Sequence, residues 1–500
     1  MGILIGNAVK NAEWHGGEAP SLALKSDIGI NLRGTSFWMA SQPWCNTFKT
    51  CDSWRTINTS LGEVVPAIPM PADAQGYPLQ VPWTDGVTAE LLCNTYFCYG
   101  ACRYPAGNWL LRFKGTGRIN FNSAGEALGT FTGTGGQFEQ LVAVAGSGNV
   151  SPDGFRLVIL ESDVSDPIHD IEFIPPDCIS VYETQDWNPS FISNLSGFKF
   201  IRFMWDLGAW GLTSTEYNSE EYMLWENRRP RDWYTQGGYN IAWEWVFELC
   251  DFLGVDGYIN FRHTLPDSYI TSFSTFLANW TFTNAIKFFT GWSNETWNGG
   301  IYAAWSKYVM EQGHAVGFSE SDTDFIGGQL YTAHRSGQIW ELMRDTMGQT
   351  RFDELIIPIL ESQQVRNSIE QMLYLMFSSV QGDYVNGSIQ ASDYPIKPEY
   401  MAWAPYFGGA VCANIADNGY IILADGSTRA CTPQTVTAQD ILDGIIYELN
   451  ERNPSSPTNL QTTCDSYGVK SLTYEGGTHF LPDEGATSED DALLYAAVQE

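Results

Sequence analysis

Positive charge is what this sequence has least of. Its 500 residues hold 26 lysines and arginines against 58 acids, a formal charge of −32. A field of that sign repels phosphate backbones and anionic headgroups, so no nucleic-acid partner is expected. Long apolar runs are also missing: no stretch of 18 apolar residues occurs, and no membrane span is expected. The opening MGILIGNAVKNAEWHGG has neither a basic region followed by a long apolar stretch nor the Ser or Thr at position six that an acylation signal prefers. No export signal or lipid anchor is therefore read. The cellular location stays open: the acidity suits a salty or extracellular setting, while the missing export signal and the missing eighth strand described below favour a larger virion-like parent.

Histidine is scarce, at 6 residues, and the C-x2-C knuckle of a zinc site is absent. Cys93, Cys98 and Cys102 are the nearest approach to a ligand cluster; without a histidine nearby they read better as disulfide partners or buried thiols. GTGGQF and GSGN are rich in glycine, but no GK[ST] follows, which excludes a phosphate loop. Neither a metal nor an organic cofactor is expected. The 10 cysteines include the close sets Cys45/Cys51, Cys93/Cys98/Cys102 and Cys412/Cys431, whose spacing points to local staples of undetermined pairing.

Apolar and aromatic residues are abundant, at 44% and 14%. A chain of this length exceeds one ordinary core and calls for a large barrel or two domains. After an N-terminal segment, 1–26, the stretch DIGINLRGTSFW reads as a strand running into a loop, over 27–59. From 60 to 184, short alternating stretches such as FRLVILES and HDIEFIPP are separated by Gly, Ser and Asp clusters, the pattern of a β-sandwich. From 185 to 500, helices and strands take turns: NIAWEWVFELCDFLG carries a helical apolar stripe stopped at Gly254, and VDGYINF follows as a strand. GINL, KFIRF, YINF, IKFF, LIIPI, YMAWA and SLTY make seven parallel strands. The expected fold class is α/β, a (β/α)8 TIM-type barrel with an inserted β-sandwich. No eighth strand is evident. Either the chain is the front of a longer polypeptide, or the register is off by one, or the closure is unusual.

All strands of such a barrel run the same way, so groups at their C-terminal ends share one mouth. Arg202, His263, Asn294, Glu295, Tyr406 and Glu475 stand at such ends. Glu295 and Glu475, on opposite sides of the ring, can face each other as glycoside hydrolysis requires: one attacks the anomeric carbon and the other protonates the departing oxygen. Two equal acids must then be driven apart in pKa by their surroundings. Arg202 and Tyr406 are the expected partners of an ionised Glu475, and Trp292 or Trp297 the apolar wall of a protonated Glu295. Asn294 would bind a sugar hydroxyl. Indoles suit the flat C–H faces of sugars, and Trp205, Trp210, Trp233 and Trp403 lie on or near expected mouth loops. His479, after EGGT, is a further candidate.

These residues resemble clan A of the glycoside hydrolases, which are retaining enzymes with (β/α)8 barrels. The resemblance rests on an Asn-Glu pair closing strand four, a glutamate closing strand seven, an arginine after strand two, a histidine after strand three and a tyrosine after strand six. WSNETWN, FIRFMW and YEGGTH look especially similar to a poorly characterised bacterial and phage branch in which a β-sandwich interrupts the barrel after strand one. The resemblance covers about residues 27 to 480. It implies Glu295 as acid/base, Glu475 as nucleophile and a polysaccharide or oligosaccharide as substrate, with Asn294, Arg202, His263, Tyr406, Trp297, Trp205 and His479 around it. The chain departs from the clan at strand eight, where a Trp often enters the mouth. The rival reading is a non-catalytic carbohydrate-binding or structural component of a larger assembly, such as a phage tail or receptor-binding protein. Self-association and virion assembly are both compatible with it.

Overall fold

A computed structural model describes residues 28–32, 35, 42–58, 62–64, 68–84, 90–98, 104–123, 126–146, 154–204, 224–238, 241–300, 303–378, 391–407, 411, 414–415, 418–432, 434–451, 457–475 and 477–478. In chain order come β1 (Gly29–Asn31), β2 (Arg55–Asn58), β3 (Gly62–Glu63), β4 (Leu91–Phe97), β5 (Gly107–Ser123), β6 (Glu126–Val144), β7 (Phe155–Ser162) and β8 (His169–Ile174). The alternating part follows with α1 (Pro189–Leu195), β9 (Phe200–Arg202), α2 (Trp243–Leu253), β10 (Asp256–Phe261), α3 (Asp267–Asn279) and β11 (Phe288–Trp292). Next are α4 (Ala303–Ala315), α5 (Phe325–Met347), α6 (Gln349–Leu355), β12 (Ile356–Glu361), α7 (Arg366–Phe377), β13 (Tyr400–Trp403) and β14 (Tyr406–Phe407). A small hairpin, β15 (Tyr420–Ile422) and β16 (Thr428–Ala430), precedes α8 (Ala438–Glu451), α9 (Pro457–Ser466), β17 (Lys470–Thr473) and β18 (Gly477–Thr478).

The seven strands expected from the sequence form one parallel sheet in chain order, β1-β9-β10-β11-β12-β13-β17. It is a curled half-barrel. β1 and β17 are its two edges, and no eighth strand joins them among the described residues. Local signals set the elements. Asn188 caps α1 by accepting from the Ser190 N–H, with Pro189 in the first turn. α2 stops at Gly254, whose left-handed φ of 65° lets the chain turn directly into β10.

Strand alternation sorts side chains between two layers. On β11, Phe288 and Trp292 join the large core between sheet and helices, while Phe289 turns inward. The inner layer is filled by Phe200, Tyr258, Phe289, Ile359, Ala402 and Leu472, contributed by six of the strands. The interior is therefore packed, and polar chemistry is confined to the strand ends.

The antiparallel part departs from two separate sheets. β3-β2-β4-β7-β5-β6 is one hydrogen-bonded sheet beginning at Arg55, ahead of residue 60, and β5 carries β7 along one half of its edge and β8 along the other. The long bent strands let this sheet curl over its own core. Phe173 sits there with ring centroids of Trp109 at 4.8 Å, Phe121 at 4.7 Å, Phe155 at 5.1 Å and Phe97 at 6.1 Å.

The expected staples are not formed: no disulfide joins Cys45 to Cys51 or Cys93 to Cys98. The 3-10 turn Thr47–Thr50 separates the first pair. Cys45 instead packs beside Cys178 and donates to the Trp187 carbonyl at 3.3 Å, whereas Cys51 lies in the aromatic core with Phe48. Burial pushes the Cys51 thiol up to about 12. Cys102 and Cys412 lie outside the described residues. No described helix is long and apolar enough to cross a membrane.

Candidate active site

The site is assembled by strand ends. β9 finishes at Arg202, which is fully buried. An isolated guanidinium there would be very costly, so every face of it is used. Nε donates to Asn260 Oδ1 at 3.2 Å, Nη1 to Glu475 Oε2 at 3.1 Å, and Nη2 to Asn294 Oδ1 at 2.6 Å. Nη2 also lies 3.5 Å from Glu361 Oε2. Tyr258 and Tyr474 cover the guanidinium at 5.2 and 4.8 Å. Burial alone would pull its pKa down; the carboxylates of Glu361 and Glu475 outweigh that and hold it above its ordinary value.

Glu295 reaches this point through an unusual turn. Ser293 and Glu295 both adopt left-handed backbone, with φ of 63° and 45°, flanking Asn294 just past the end of β11. The turn is closed by the Asn298 N–H donating to the Glu295 carbonyl at 2.9 Å, and Asn298 Nδ2 holds the carboxyl Oε2 at 3.0 Å. On the other side Tyr474 Oη lies 3.5 Å from Glu295 Oε1 and accepts from Trp297 Nε1 at 3.1 Å. Thr296 is tied to Thr332 of α5 at 2.9 Å, anchoring the loop to the helical layer.

Glu475 follows β17 by two residues. Besides Arg202, its Oε2 accepts from Asn31 Nδ2 at 3.3 Å, across 444 positions of sequence and between the two edge strands. Arg202 brings the two glutamates together, donating to Glu475 Oε2 and to the Oδ1 of Asn294, the residue before Glu295. Burial first, and then the charge of Glu475, push Glu295 up to about 9. At neutral pH Glu295 holds a proton, beside a carboxylate ion-paired to Arg202. Such a pair can deliver a proton and an electron pair to the two ends of one bond.

Other expected residues lie elsewhere. His263 is buried after β10 against Trp305 and Tyr308, with centroids at 4.7 and 5.2 Å; burial and Arg262 hold it down to about 3, as the neutral imidazole. Its described contacts include neither glutamate. Trp292 faces Tyr331 in the helical layer at 5.7 Å, because it shares the outward parity of Phe288, so it is not the wall of the acid. Trp297 is the indole on that side, packed against the inner core. Trp403 is likewise turned outward, and Trp233 packs on the antiparallel core beside Tyr234, at 5.7 Å, away from the mouth. Tyr406 is in β14, its main chain paired with Gly477 of β18. Trp205, Trp210 and His479 lie outside the described residues.

Besides Tyr258 and Asn260 within β10, the sequence reading missed three members of the cluster at strand ends. Glu361 closes β12, buried, accepting from Tyr258 Oη and Asn260 Nδ2, each at 2.5 Å. Burial raises its pKa, with Arg202 opposing. Gly291 makes room for it: a Cβ there would come 2.9 Å from Glu361 Oε1. Asn31 and Tyr474 are the others. The rule that found Glu295 would have found all three, since each stands at the C-terminal end of an apolar parallel strand. Among the described residues no group of three or more His, Cys, Asp or Glu side chains comes together as a metal site would need.

No family model matches the sequence, and no curated protein matches it either. Solved structures share parts of the chain path. Bacteroides uniformis β-glucuronidase 2, covalently bound to cyclophellitol-6-carboxylate aziridine, is 10% identical over 77% of this chain and 44% of that one, with a TM-score of 0.23. The chain thus spans less than half the length of that protein. A GH2 β-galacturonidase from Eisenbergiella tayi, bound to galacturonate, is 11% identical over 88% and 81%, TM-score 0.22. A family two carbohydrate esterase mutant from Clostridium thermocellum is 12% identical over 54% and 80%, TM-score 0.15. Scores at this level describe a partial overlap of chain path and nothing about chemistry.

Proposed function

We propose that this chain is a retaining glycoside hydrolase of the clan A type, cleaving an O-glycosidic bond of a polysaccharide by double displacement. The observation that supports it is the meeting of Glu295, raised to about 9, with Glu475, ion-paired to Arg202. A raised Glu295 beside an ion-paired Glu475 is the unequal pair of acids that double displacement needs.

In this reading the Glu475 carboxylate attacks the anomeric carbon as Glu295 gives its proton to the leaving oxygen. The glycosyl ester on Glu475 is then attacked by a water that Glu295 deprotonates, which returns both groups to their starting states. Arg202 and Asn31 orient the attacking carboxylate by donating to its Oε2. Asn294 Oδ1 is taken by Arg202, while its buried Nδ2 has no partner and is the donor for a sugar hydroxyl. Trp297 supplies the apolar face; Tyr406, Trp205 and His479 are proposed as further sugar contacts, and His263 as a neutral one.

The test is reducing-end release from a panel of microbial and algal polysaccharides by wild type, Glu295→Gln and Glu475→Gln. Release abolished in both variants is the expected result. Release undiminished in both removes the assignment, and binding without any release by wild type would favour a carbohydrate-recognition component instead. A fluorinated glycoside should leave its mass on Glu475.

A further inference from the structure

One carboxylate of the cluster has no part in the double displacement. Glu361 is buried, yet it ties together strands that are not neighbours in the sheet. It leaves β12 and crosses β11 at Gly291, the β11 partner of Asn260. A Cβ at that glycine would stand 2.9 Å from Glu361 Oε1 and 3.6 Å from its Cδ, so the crossing needs a residue without a side chain. Beyond it, Oε1 accepts from Tyr258 Oη and Asn260 Nδ2 of β10, and Oε2 faces Arg202 Nη2 of β9 at 3.5 Å.

Asn260 carries the effect onward. Its Oδ1 accepts from Arg202 Nε, so Nδ2 points the other way, and the two Nδ2 protons go to Glu361 Oε1 at 2.5 Å and to the Ser293 carbonyl at 2.6 Å. The Ser293 N–H donates to the Phe261 carbonyl at 2.7 Å. Both main-chain polar groups of Ser293 are thus clamped to the end of β10. The clamp holds a backbone that residues with a Cβ disfavour, with φ of 63° at Ser293 and 45° at Glu295.

Resting on the hydrolase reading for what Glu295 does, we propose that Glu361 is a positioning residue: acting through Asn260, it holds the left-handed turn that presents Glu295 to the bond being broken. Freed from the clamp, the turn relaxes toward right-handed backbone. Glu295 then leaves the place where Asn298, Tyr474, Glu475 and Arg202 face it, and water reaches its carboxyl.

The experiment titrates Glu295 directly, by carbon-13 NMR of protein labelled at the glutamate side-chain carboxyls; its line is the one lost in Glu295→Gln. From near 9 in wild type, the midpoint should fall by about one pH unit or more in Glu361→Ala, in Asn260→Ala and equally in the double variant. Glu361→Gln removes the same charge but keeps an oxygen for Asn260, so its fall should be smaller. Gly291→Ala, which keeps every charge, should lower the midpoint by displacing the Glu361 carboxyl, and it carries the test if Glu361→Ala does not fold. On a polymer that wild type cleaves, kcat should drop about 10²-fold in Glu361→Ala with KM little changed. An unmoved midpoint in folded Glu361→Ala or Gly291→Ala overturns the inference while cleavage by wild type leaves the hydrolase intact, and so does a double variant whose fall is the sum of the two. A lowered midpoint in a protein that cleaves nothing keeps the positioning role and removes hydrolysis. An unmoved midpoint without cleavage removes both.

Discussion

In the antiparallel sheet Phe173 lies among four aromatic rings, whereas at the end of the parallel sheet Arg202 lies among two carboxylates and two amides. Both residues are wholly buried. The first arrangement stabilises through removal of apolar surface, at about 1.5–3 kcal/mol for a large side chain. The second loses hydration of several charges and recovers it only if every partner is in place. Ion pairs of the antiparallel sheet, such as Arg118 with Glu161, stay in solvent, where they contribute little. The antiparallel part thus keeps the charges of such ion pairs in solvent, whereas the parallel sheet buries Arg202 and Glu361 at its strand ends.

The comparison can be broken most severely at Glu475. Glu475→Gln should reduce hydrolysis by about 10³-fold or more, while the melting temperature moves little, because the amide still accepts from Arg202 and Asn31. Arg202→Met should abolish activity and also destabilise the fold by about 3–5 kcal/mol in urea denaturation, since two buried carboxyls lose their counter-charge. Phe173→Ala should cost a similar ~3–5 kcal/mol through a cavity in the other core, yet leave kcat unchanged at temperatures where the protein stays folded. If Phe173→Ala lowered kcat as Arg202→Met does, the two cores would not be separable.

A titration sharpens the contrast further. Glu295, near 9 folded and near 4.5 unfolded, makes the native state bind the extra proton, so stability is full below pH 4.5 and declines as pH rises toward 9. His263 and His334, held down to about 3 and about 4, act on the acid side: their contribution is present above 6.5 and is lost as pH falls toward those values. Glu295→Gln should flatten the alkaline side of the stability curve alone, and the wild-type kcat profile should carry a basic limb near pH 9. The smallest effect belongs to Arg118→Ala, which should leave both melting temperature and rate unchanged.

The seven parallel strands were legible because each is an apolar run after a helical stripe, and their order followed from alternation alone. Glu295, Glu475, Arg202 and Asn294 were legible because a polar residue at a strand end has one shared place to go. Trp292 and Trp403 misled because indoles were assigned to the mouth by sequence proximity, when strand parity turns both outward. Glu361 escaped because its carboxyl closes an otherwise apolar strand and resembles the start of a solvated loop. The curled antiparallel sheet was read as a sandwich because alternation reports one wet and one dry face, not how many separate sheets supply them.

The bond from Asn31 to Glu475 has a temporal meaning as well. The first parallel strand waits for the last, so in the proposed reading a growing chain that has reached β13 holds Glu295 but not yet Glu475. On that reading a fragment ending before β17 lacks the proposed nucleophile and should release no reducing ends.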